Sequence, residues 1–263
     1  MAEPFEYVRT SIGSATPDAI TVAGLDLPSE VMGRLSLTEL ACLLLVGREP
    51  TPGECRLLDA VLVSLADHGL TPSALAARLT YTGAPEAIQG AVAAGLLGAG
   101  SVFLGPAGDT AQFLALALRD VDAAELDDDA LRVIAEVMVA ARVAAGERVP
   151  GLGHPVHRAG DPRTARLWEL AEEEGLLGPH QRLLARVAEV HAETSGRALP
   201  INGAGAAGAV LVDLGVPPDS VRGFVLIART AGLVAQLAEE ARHPIGRPLW
   251  LEVEENARLL PDH

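Results

Sequence analysis

The chain has 263 residues, 49% of them hydrophobic, and a formal net charge of −15. This is enough apolar surface for one or two closely coupled globular domains. All 20 basic residues are Arg, which excludes Schiff-base chemistry on a lysine and a phosphate-binding P-loop lysine. The acidic balance argues against nucleic acid or an anionic membrane as a partner, so a bound anion requires a local cluster of Arg.

The cysteines and the first residues indicate a cellular compartment. Cys42 and Cys55 lie in apolar helical patterns and lack the spacing of metal ligands or of a disulfide framework. Residues 1–11 carry three charged side chains and no apolar core of a signal peptide. We therefore expect a cytoplasmic protein with no metal site.

The strongest local patterns along the chain are helical. Capping-box sequences at residues 36–39 and 51–54 each precede apolar residues at helical spacing, and the second of these helices delivers His68 near its end. Other helices are indicated by acidic residues or proline at their N-terminus and by glycine at their C-terminus. The five predicted helices cover about residues 37–46, 52–68, 127–146, 163–175 and 220–241.

Few stretches of the sequence have a pattern other than that of a helix. An uncharged run over residues 88–108 reaches membrane-spanning length, but seven of its residues are Gly or Pro, which favours a buried glycine-rich helix and a loop. A strand pattern occurs only around residues 20–22. The sequence predicts an all-α protein of many helices, with domain boundaries near residues 149–161 and 216–219.

One segment combines glycines, an imidazole and cations. Residues 149–163 contain Gly151, Gly153, His154, Arg158 and Arg163, and Asp-Pro at 161–162 begins a helix. Approachable backbone N–H groups, guanidinium groups and a helix N-terminus together are typical of an anion site. An ordinary glycine turn before a solvated helix is the alternative.

Two further segments have both a functional and a structural interpretation. Residues 203–208 match GxGxxG, but no βαβ pattern surrounds them, so close helix packing is the better explanation. Arg229 stands in an apolar helical pattern, where burial requires an anionic partner. That partner is a ligand or a protein carboxylate, unless the side chain extends to solvent.

At these segments the chain resembles the citrate synthase superfamily, and more particularly its short citryl-CoA lyase-like members. The resemblance covers about residues 17–250, and the order and spacing of many segments make it specific. The segments that carry it are Leu-Leu-Leu-Val-Gly-Arg-Glu-Pro-Thr at 43–51, Asp-His-Gly at 67–69, Gly-Leu-Gly-His at 151–154, Asp-Pro-Arg at 161–163, Leu-Pro-Ile-Asn at 199–202, and Arg229 with Gly232.

The resemblance implies an all-α fold with a large and a small domain, and a homodimer. Residues 1–110 and 216–263 would belong to the large domain, and residues 111–215, with an active-site loop at 149–163, mainly to the small one. Members of the superfamily join acetyl-CoA to oxaloacetate or cleave citryl-CoA into those two compounds. A dicarboxylate and a coenzyme A thioester are therefore the implied ligands, and no metal or redox cofactor is implied.

The resemblance also assigns roles to individual residues. His68 would bind oxaloacetate, and His154 would hydrogen-bond its carbonyl or the citryl hydroxyl. Arg163 and Arg229 would clamp the carboxylates, and Arg247 would reach in from the partner subunit; guanidinium groups suit carboxylates because they bind them in a bidentate manner. The residues that would receive coenzyme A and its phosphates are Gly151, Leu152, Gly153 and Arg158.

Two positions depart from the superfamily pattern. Leu104 stands where citrate synthases have a His that helps to form the enolate, a change that favours cleavage over synthesis. Ala204 stands where the catalytic Asp is expected, and such groups typically contribute 10²- to 10⁴-fold to the rate. The nearest Asp in sequence is Asp213. Asp109 or His157 are the alternatives for a substitute, although Asp109 equally suits a helix cap.

Three functions follow as hypotheses. The first is a citryl-CoA lyase in which His154 takes the proton from the citryl hydroxyl and the carbon–carbon bond breaks to give oxaloacetate and acetyl-CoA. The second is condensation of an acyl-CoA with oxaloacetate or another 2-oxo acid. The third is a catalytically silent protein that binds a dicarboxylate or a coenzyme A thioester.

Overall fold

The computed structural model describes residues 9–122, 126–154 and 156–260. It begins with a small antiparallel meander of strands β1 (Gly13–Ala15), β2 (Ile20–Val22) and β3 (Leu25–Asp26). The other regular elements of the described chain are helices, joined by loops. The helices are α1 (Leu37–Val46), α2 (Pro52–Ala66), α3 (Pro72–Gly83), α4 (Ile88–Leu104), α5 (Pro106–Leu118), α6 (Asp128–Ala144), α7 (Pro162–Glu173), α8 (Pro179–Ser195), α9 (Gly203–Asp213), α10 (Val221–Arg242) and α11 (Gly246–Asn256).

This architecture confirms the all-α prediction and the five predicted helices. Both capping boxes form: Ser36 accepts the Glu39 backbone N–H and Thr51 accepts that of Glu54, and each Glu side chain reaches back to its cap. The predicted strand at residues 20–22 is the centre of the meander. Helix α2 ends at Ala66, so His68 lies just beyond the helix.

The glycine-rich run at residues 88–108 forms α4 and the start of α5, as predicted. Gly100 has φ +54°, and the two helices bend by 40°. A Cβ on Gly95 would lie 2.8 Å from the Leu233 side chain, so the glycine permits close packing on α10. By length and composition alone, Pro218–Arg242 and the bent α4–α5 pair have the apolar character of membrane spans.

Two apolar cores meet along α9. Residues of α1, α2, α4, α7 and α10 surround the first core, and residues of α5, α6 and α8 surround the second. Ala207 of α9 packs in the first core and Ala209 in the second. A Cβ on Gly208 would lie 2.3 Å from the Ala107 carbonyl oxygen, which confirms close helix packing as the reason for the GxGxxG pattern. The domain ranges stay a prediction.

Candidate functional site

The loop before α7 is joined to the segment before α9. Gly151 and Gly153 have φ of +84° and +83°, which glycine adopts without strain. The Gly153 N–H donates to the Pro200 carbonyl at 2.7 Å, and the Asn202 N–H donates to the Gly151 carbonyl at 2.9 Å. The Asn202 side chain donates to the Gly153 carbonyl at 3.0 Å. These bonds bring together two segments that the sequence singled out separately.

Three histidines form a cluster beside this loop. The ring centroids of His154 and His157 are 4.5 Å apart, and that of His68 lies 5.7 Å from His154 and 5.8 Å from His157. His68 and His154 line the cleft described below. The tertiary structure therefore brings His68, from the end of α2, to the loop that carries His154.

The hydrogen bonds of His154 fix where its proton lies. Its Nδ1 accepts the Val156 N–H at 3.1 Å and the His157 N–H at 3.0 Å, so Nδ1 carries no proton. Burial lowers the pKa of His154, and neighbouring His157 adds to that effect. The ring is neutral near pH 7 with its proton on Nε2. A ring in this state donates a hydrogen bond from Nε2 to a substrate oxygen, as the resemblance implies, and has no free nitrogen to accept the hydroxyl proton. The catalytic role of His154 stays a prediction.

The histidine cluster also has the composition of a metal site. One ring nitrogen from each of His68, His154 and His157 lies within 4.8 Å of the others, whereas Zn–N bonds of 2.0–2.1 Å would require nitrogens about 3.4 Å apart. In addition, the lone pair of the unprotonated His154 Nδ1 already accepts two N–H groups, and Nε2 carries the proton, so neither nitrogen is free to bind a metal. This donor set does not fit a three-histidine metal site.

Arg163 lies in the first turn of α7 and is held by Asp161. Its Nε and Nη2 donate to the Asp161 carboxylate at 3.0 and 2.7 Å, and Asp161 also accepts the Gly203 N–H at 2.7 Å. Burial alone would raise the pKa of Asp161, but these hydrogen bonds outweigh it and lower the pKa. A Cβ on Gly203 would lie 2.5 Å from the guanidinium, so a side chain there would displace Arg163. Arg163 is therefore fixed in place before any ligand binds.

Arg229 reaches the same place from α10. A Cβ on Gly232 would lie 1.9 Å from the Ala66 carbonyl oxygen, so this glycine lets α10 cross the end of α2 next to His68. Arg229 is only 9% exposed, and its Nε has no hydrogen-bond partner. Burial lowers its pKa, and the nearest compensating charge is Asp67. Because the described residues form no salt bridge to Arg229, its environment is that of an anion-binding guanidinium.

The opposite side of this cluster is apolar. Leu104 is 2% exposed and Ala204 stands in the first turn of α9, and both line the cleft. Asp213 lies at the far end of α9, about 13 Å along the helix axis, where it accepts the N–H groups of His180 and Gln181. Asp109 lines the cleft and does not cap α5. Among the described residues, the carboxylates that line the cleft are Asp109 and Glu147, and a substitute for the missing Asp at Ala204 stays a prediction.

One cleft of about 1740 Å³ is lined by residues of the dicarboxylate cluster and of the apolar region, and His157 contacts His154 without lining it. Its lining residues include His68, Leu104, Asp109, His154, Arg163, Ala204 and Arg229. The volume of the cleft exceeds the roughly 300–1,000 Å³ of pockets that bind drug-sized ligands. The cleft is lined by all four residues predicted to receive coenzyme A, namely Gly151, Leu152, Gly153 and Arg158. It is also lined by basic residues that the sequence analysis missed, although two of them flank the two loop segments. They are Arg142, Arg148, His191 and Arg197.

Arg247 is the predicted site residue that does not join the others. It is exposed in the first turn of α11 and does not line the cleft of its own chain. The start of α11 is anchored because Glu240, buried in a salt bridge with Arg78, accepts the Ile245 and Gly246 N–H groups. The structure thus leaves the contribution of Arg247 to a neighbouring subunit as a prediction.

Comparison with known proteins agrees with this arrangement of segments. The family model described as citrate synthase, C-terminal domain, matches residues 21–249. The chain belongs to the citrate synthase family. It is 32% identical over 200 residues to the putative citrate synthase 2 of Mycobacterium tuberculosis, a match covering 74% of this chain and 50% of that protein. It spans about half the length of the curated family members it matches.

Two solved structures share this fold, one of about the same length as this chain and one more than twice as long. Citryl-CoA lyase from Hydrogenobacter thermophilus superposes with a TM-score of 0.85 at 29% identity, covering 98% of this chain and 96% of that one. ATP citrate lyase from Methanosaeta concilii, in complex with (3S)-citryl-CoA, superposes with a TM-score of 0.72 at 20% identity, covering 97% and 42%. The second likeness concerns the fold alone.

Proposed function

We propose that this chain is a citryl-CoA lyase, which cleaves citryl-CoA into acetyl-CoA and oxaloacetate. Arg163 and Arg229 bind the carboxylates of the citryl group, and His68 contacts its oxaloacetate part. His154 donates a hydrogen bond from Nε2 to the citryl hydroxyl oxygen and stabilises the negative charge that develops there as the carbon–carbon bond breaks. The full-length likeness to a citryl-CoA lyase supports this choice within the family.

The observation that carries the proposal is the environment of Arg229. A guanidinium 9% exposed, with an unpartnered Nε and no salt bridge among the described residues, is costly to bury without an anion. Arg163, His68 and His154 line the same cleft, so the anion that fits there is a small carboxylate bound beside imidazoles. Oxaloacetate and the citryl group meet that description.

The remainder of the cleft supports a coenzyme A thioester as the substrate. Its volume is larger than one small dicarboxylate needs, and its wall carries several Arg in a chain of net charge −15. Phosphate groups bind well to such guanidinium groups. We assign the phosphates of coenzyme A to the basic wall and the thioester to the region near the glycine loop.

The apolar region near Leu104 and Ala204 favours a second candidate, condensation or cleavage with an acyl group other than acetyl. Both family positions have lost a polar side chain, and the cleft there is lined by apolar residues. These are Leu65, Ala99, Leu104, Ala107 and Val225. A longer acyl chain would gain about 25 cal/mol for each Å² of apolar surface removed from water.

We also propose that the active form is a homodimer in which Arg247 of one subunit completes the cleft of the other. Arg247 is exposed in its own chain at the end of an anchored segment. Arg247→Gln is expected to raise the KM for the dicarboxylate substrate while light scattering shows an unchanged dimer. A monomer with full activity would rule out this arrangement.

The test of the proposed function follows oxaloacetate release from citryl-CoA through malate dehydrogenase and NADH. Wild-type protein should release oxaloacetate, and His154→Ala should reduce the rate at least 10²-fold while circular dichroism remains unchanged. Calorimetry with oxaloacetate and coenzyme A is run in parallel. Tight binding without turnover of citryl-CoA or longer acyl analogues would contradict the lyase and identify a silent binding protein.

A further inference from the structure

Cleavage of citryl-CoA needs two groups, a base and an acid, that the site residues assigned so far do not supply. A base must accept the proton of the citryl hydroxyl, and an acid must protonate the enolate of acetyl-CoA after the bond breaks. His154 does not serve as the base because its Nδ1 accepts two N–H groups and its Nε2 is protonated. Ala204 and Leu104 have no ionisable group to serve as the acid. Near His154, the carboxylate of Asp161 is held in its ionised form by Arg163. The other titratable neighbours whose rings face His154 in the described part of the chain are His68 and His157.

His157 is the better placed of these two. Its ring lies 4.5 Å from that of His154, compared with 5.7 Å for His68. Its backbone N–H donates to His154 Nδ1, which holds the two residues next to each other. His157 is half-buried, whereas His68 is exposed. A ring nitrogen of His157 lies within 4.8 Å of one on His154, so a substrate group bound at His154 is close to the His157 ring.

We propose that His157 is a catalytic residue that carries a single proton through the whole cleavage, which rests on the lyase function proposed above. An imidazole nitrogen of His157 accepts the hydroxyl proton, and the electrons of the O–H bond form the carbonyl of oxaloacetate. The carbon–carbon bond breaks and its electron pair passes into the enolate of acetyl-CoA. The same imidazolium then protonates the enolate carbon, giving the methyl group and regenerating neutral His157.

This cycle balances without any further acid, base or cofactor. The proton lost by the oxygen equals the proton gained by the carbon, and these two atoms are bonded to the same carbon in citryl-CoA. One imidazole is therefore able to reach both without a large movement. The charged and titratable groups in and around the histidine cluster, besides His157 itself, are Asp67, His68, His154, Asp161, Arg163 and Arg229.

The experiment compares His157→Gln and His157→Gly with wild-type protein in the citryl-CoA cleavage assay. We expect kcat to fall by about 10²- to 10⁴-fold, while KM changes by less than threefold. Added imidazole should raise the rate of His157→Gly at least tenfold and leave wild-type protein unchanged. The rescued rate should follow the concentration of neutral imidazole as pH is varied, which a purely structural role would not produce. Asp109→Asn is the comparison variant and should lose less than tenfold.

Four outcomes would overturn the proposal. If both His157 variants keep wild-type kcat, His157 carries no proton. If Asp109→Asn loses more activity than His157→Gln, the carboxylate of Asp109 is the proton carrier. If the His157 variants lose activity with a raised KM and no imidazole rescue, the residue only supports the loop. If wild-type protein does not cleave citryl-CoA, the lyase function fails and this proposal fails with it, whereas the first three outcomes leave that function intact.

Discussion

The two ends of the cleft differ in the polar side chains that line them. At the dicarboxylate end, His68, His154, Arg163 and Arg229 converge from two helices and two loops, and a buried Asp161 holds Arg163 in place. At the acyl end, Leu104 and Ala204 offer no polar group. Binding of the carboxylates and proton transfer at the acyl carbon are thus separable in this fold, because different helices supply the groups for each.

The largest expected effect lies at the dicarboxylate end. Arg229→Met removes a buried charge, so kcat/KM for citryl-CoA should fall by about 10²- to 10³-fold, because losing a buried, hydrogen-bonded charge partner typically costs 2–5 kcal/mol. The melting temperature should stay equal or rise, since an uncompensated charge leaves the interior. Arg258→Met, at an exposed position, is the matched control. Equal kcat/KM in the two variants would contradict the assignment.

The next largest effect is expected at the close contact between Gly205 of α9 and Gly151 of the loop that carries His154. A Cβ on Gly205 would lie 2.5 Å from Gly151 Cα, and backbone atoms cannot give way as a flexible side chain does. Gly205→Ala should lower the free energy of unfolding by about 1–3 kcal/mol in urea denaturation and displace the loop that carries His154. Gly223→Ala meets no neighbouring atom within 4 Å in α10 and should be neutral or stabilising. Equal destabilisation in both variants would argue against close contact at Gly205.

The stability that Asp161 contributes at the dicarboxylate end of the cleft should depend on pH. Asp161 has a folded-state pKa below its ordinary 3.8, so its ionised form stabilises the fold above about pH 4, and that stabilisation is lost as pH falls toward the folded-state pKa. Asp161→Asn should therefore be less stable than wild type at pH 7, and the difference should shrink between pH 5 and pH 3. Thermal denaturation at several pH values measures it. A difference that is constant with pH would show that the charge of Asp161 contributes nothing.

The smallest expected effect restores a polar group at the acyl end. Ala204→Asp places a carboxylate in the first turn of α9, on the cleft wall. With oxaloacetate bound, exchange of the acetyl-CoA methyl protons with deuterated water should rise about tenfold, a fraction of the 10²- to 10⁴-fold that a well-placed base supplies. Ala206→Asp is buried in the core and should unfold the protein instead. Unchanged exchange in a folded Ala204→Asp protein would show that the acyl carbon lies elsewhere.

The sequence by itself determined the helices, because their signals are local. Capping boxes, proline starts and glycine ends act within a few residues, which is why α1, α2, α6, α7 and α10 could be predicted. Helices α3, α8 and α11 were not predicted. The resemblance of motifs identified the family, and it named the residues of the dicarboxylate cluster, His68, His154, Arg163 and Arg229, before their positions were known.

Only the tertiary structure decided which of these residues meet and in what chemical state. The crossing of α10 over α2 at Gly232 brings Arg229 to His68, although the two are far apart in the chain. The N–H groups that fix the His154 proton on Nε2 come from a turn whose shape no local pattern specifies. The basic wall formed by Arg142, Arg148, His191 and Arg197 escaped prediction for the same reason. Proton position and ligand environment depend on neighbours in space, and those are set by packing.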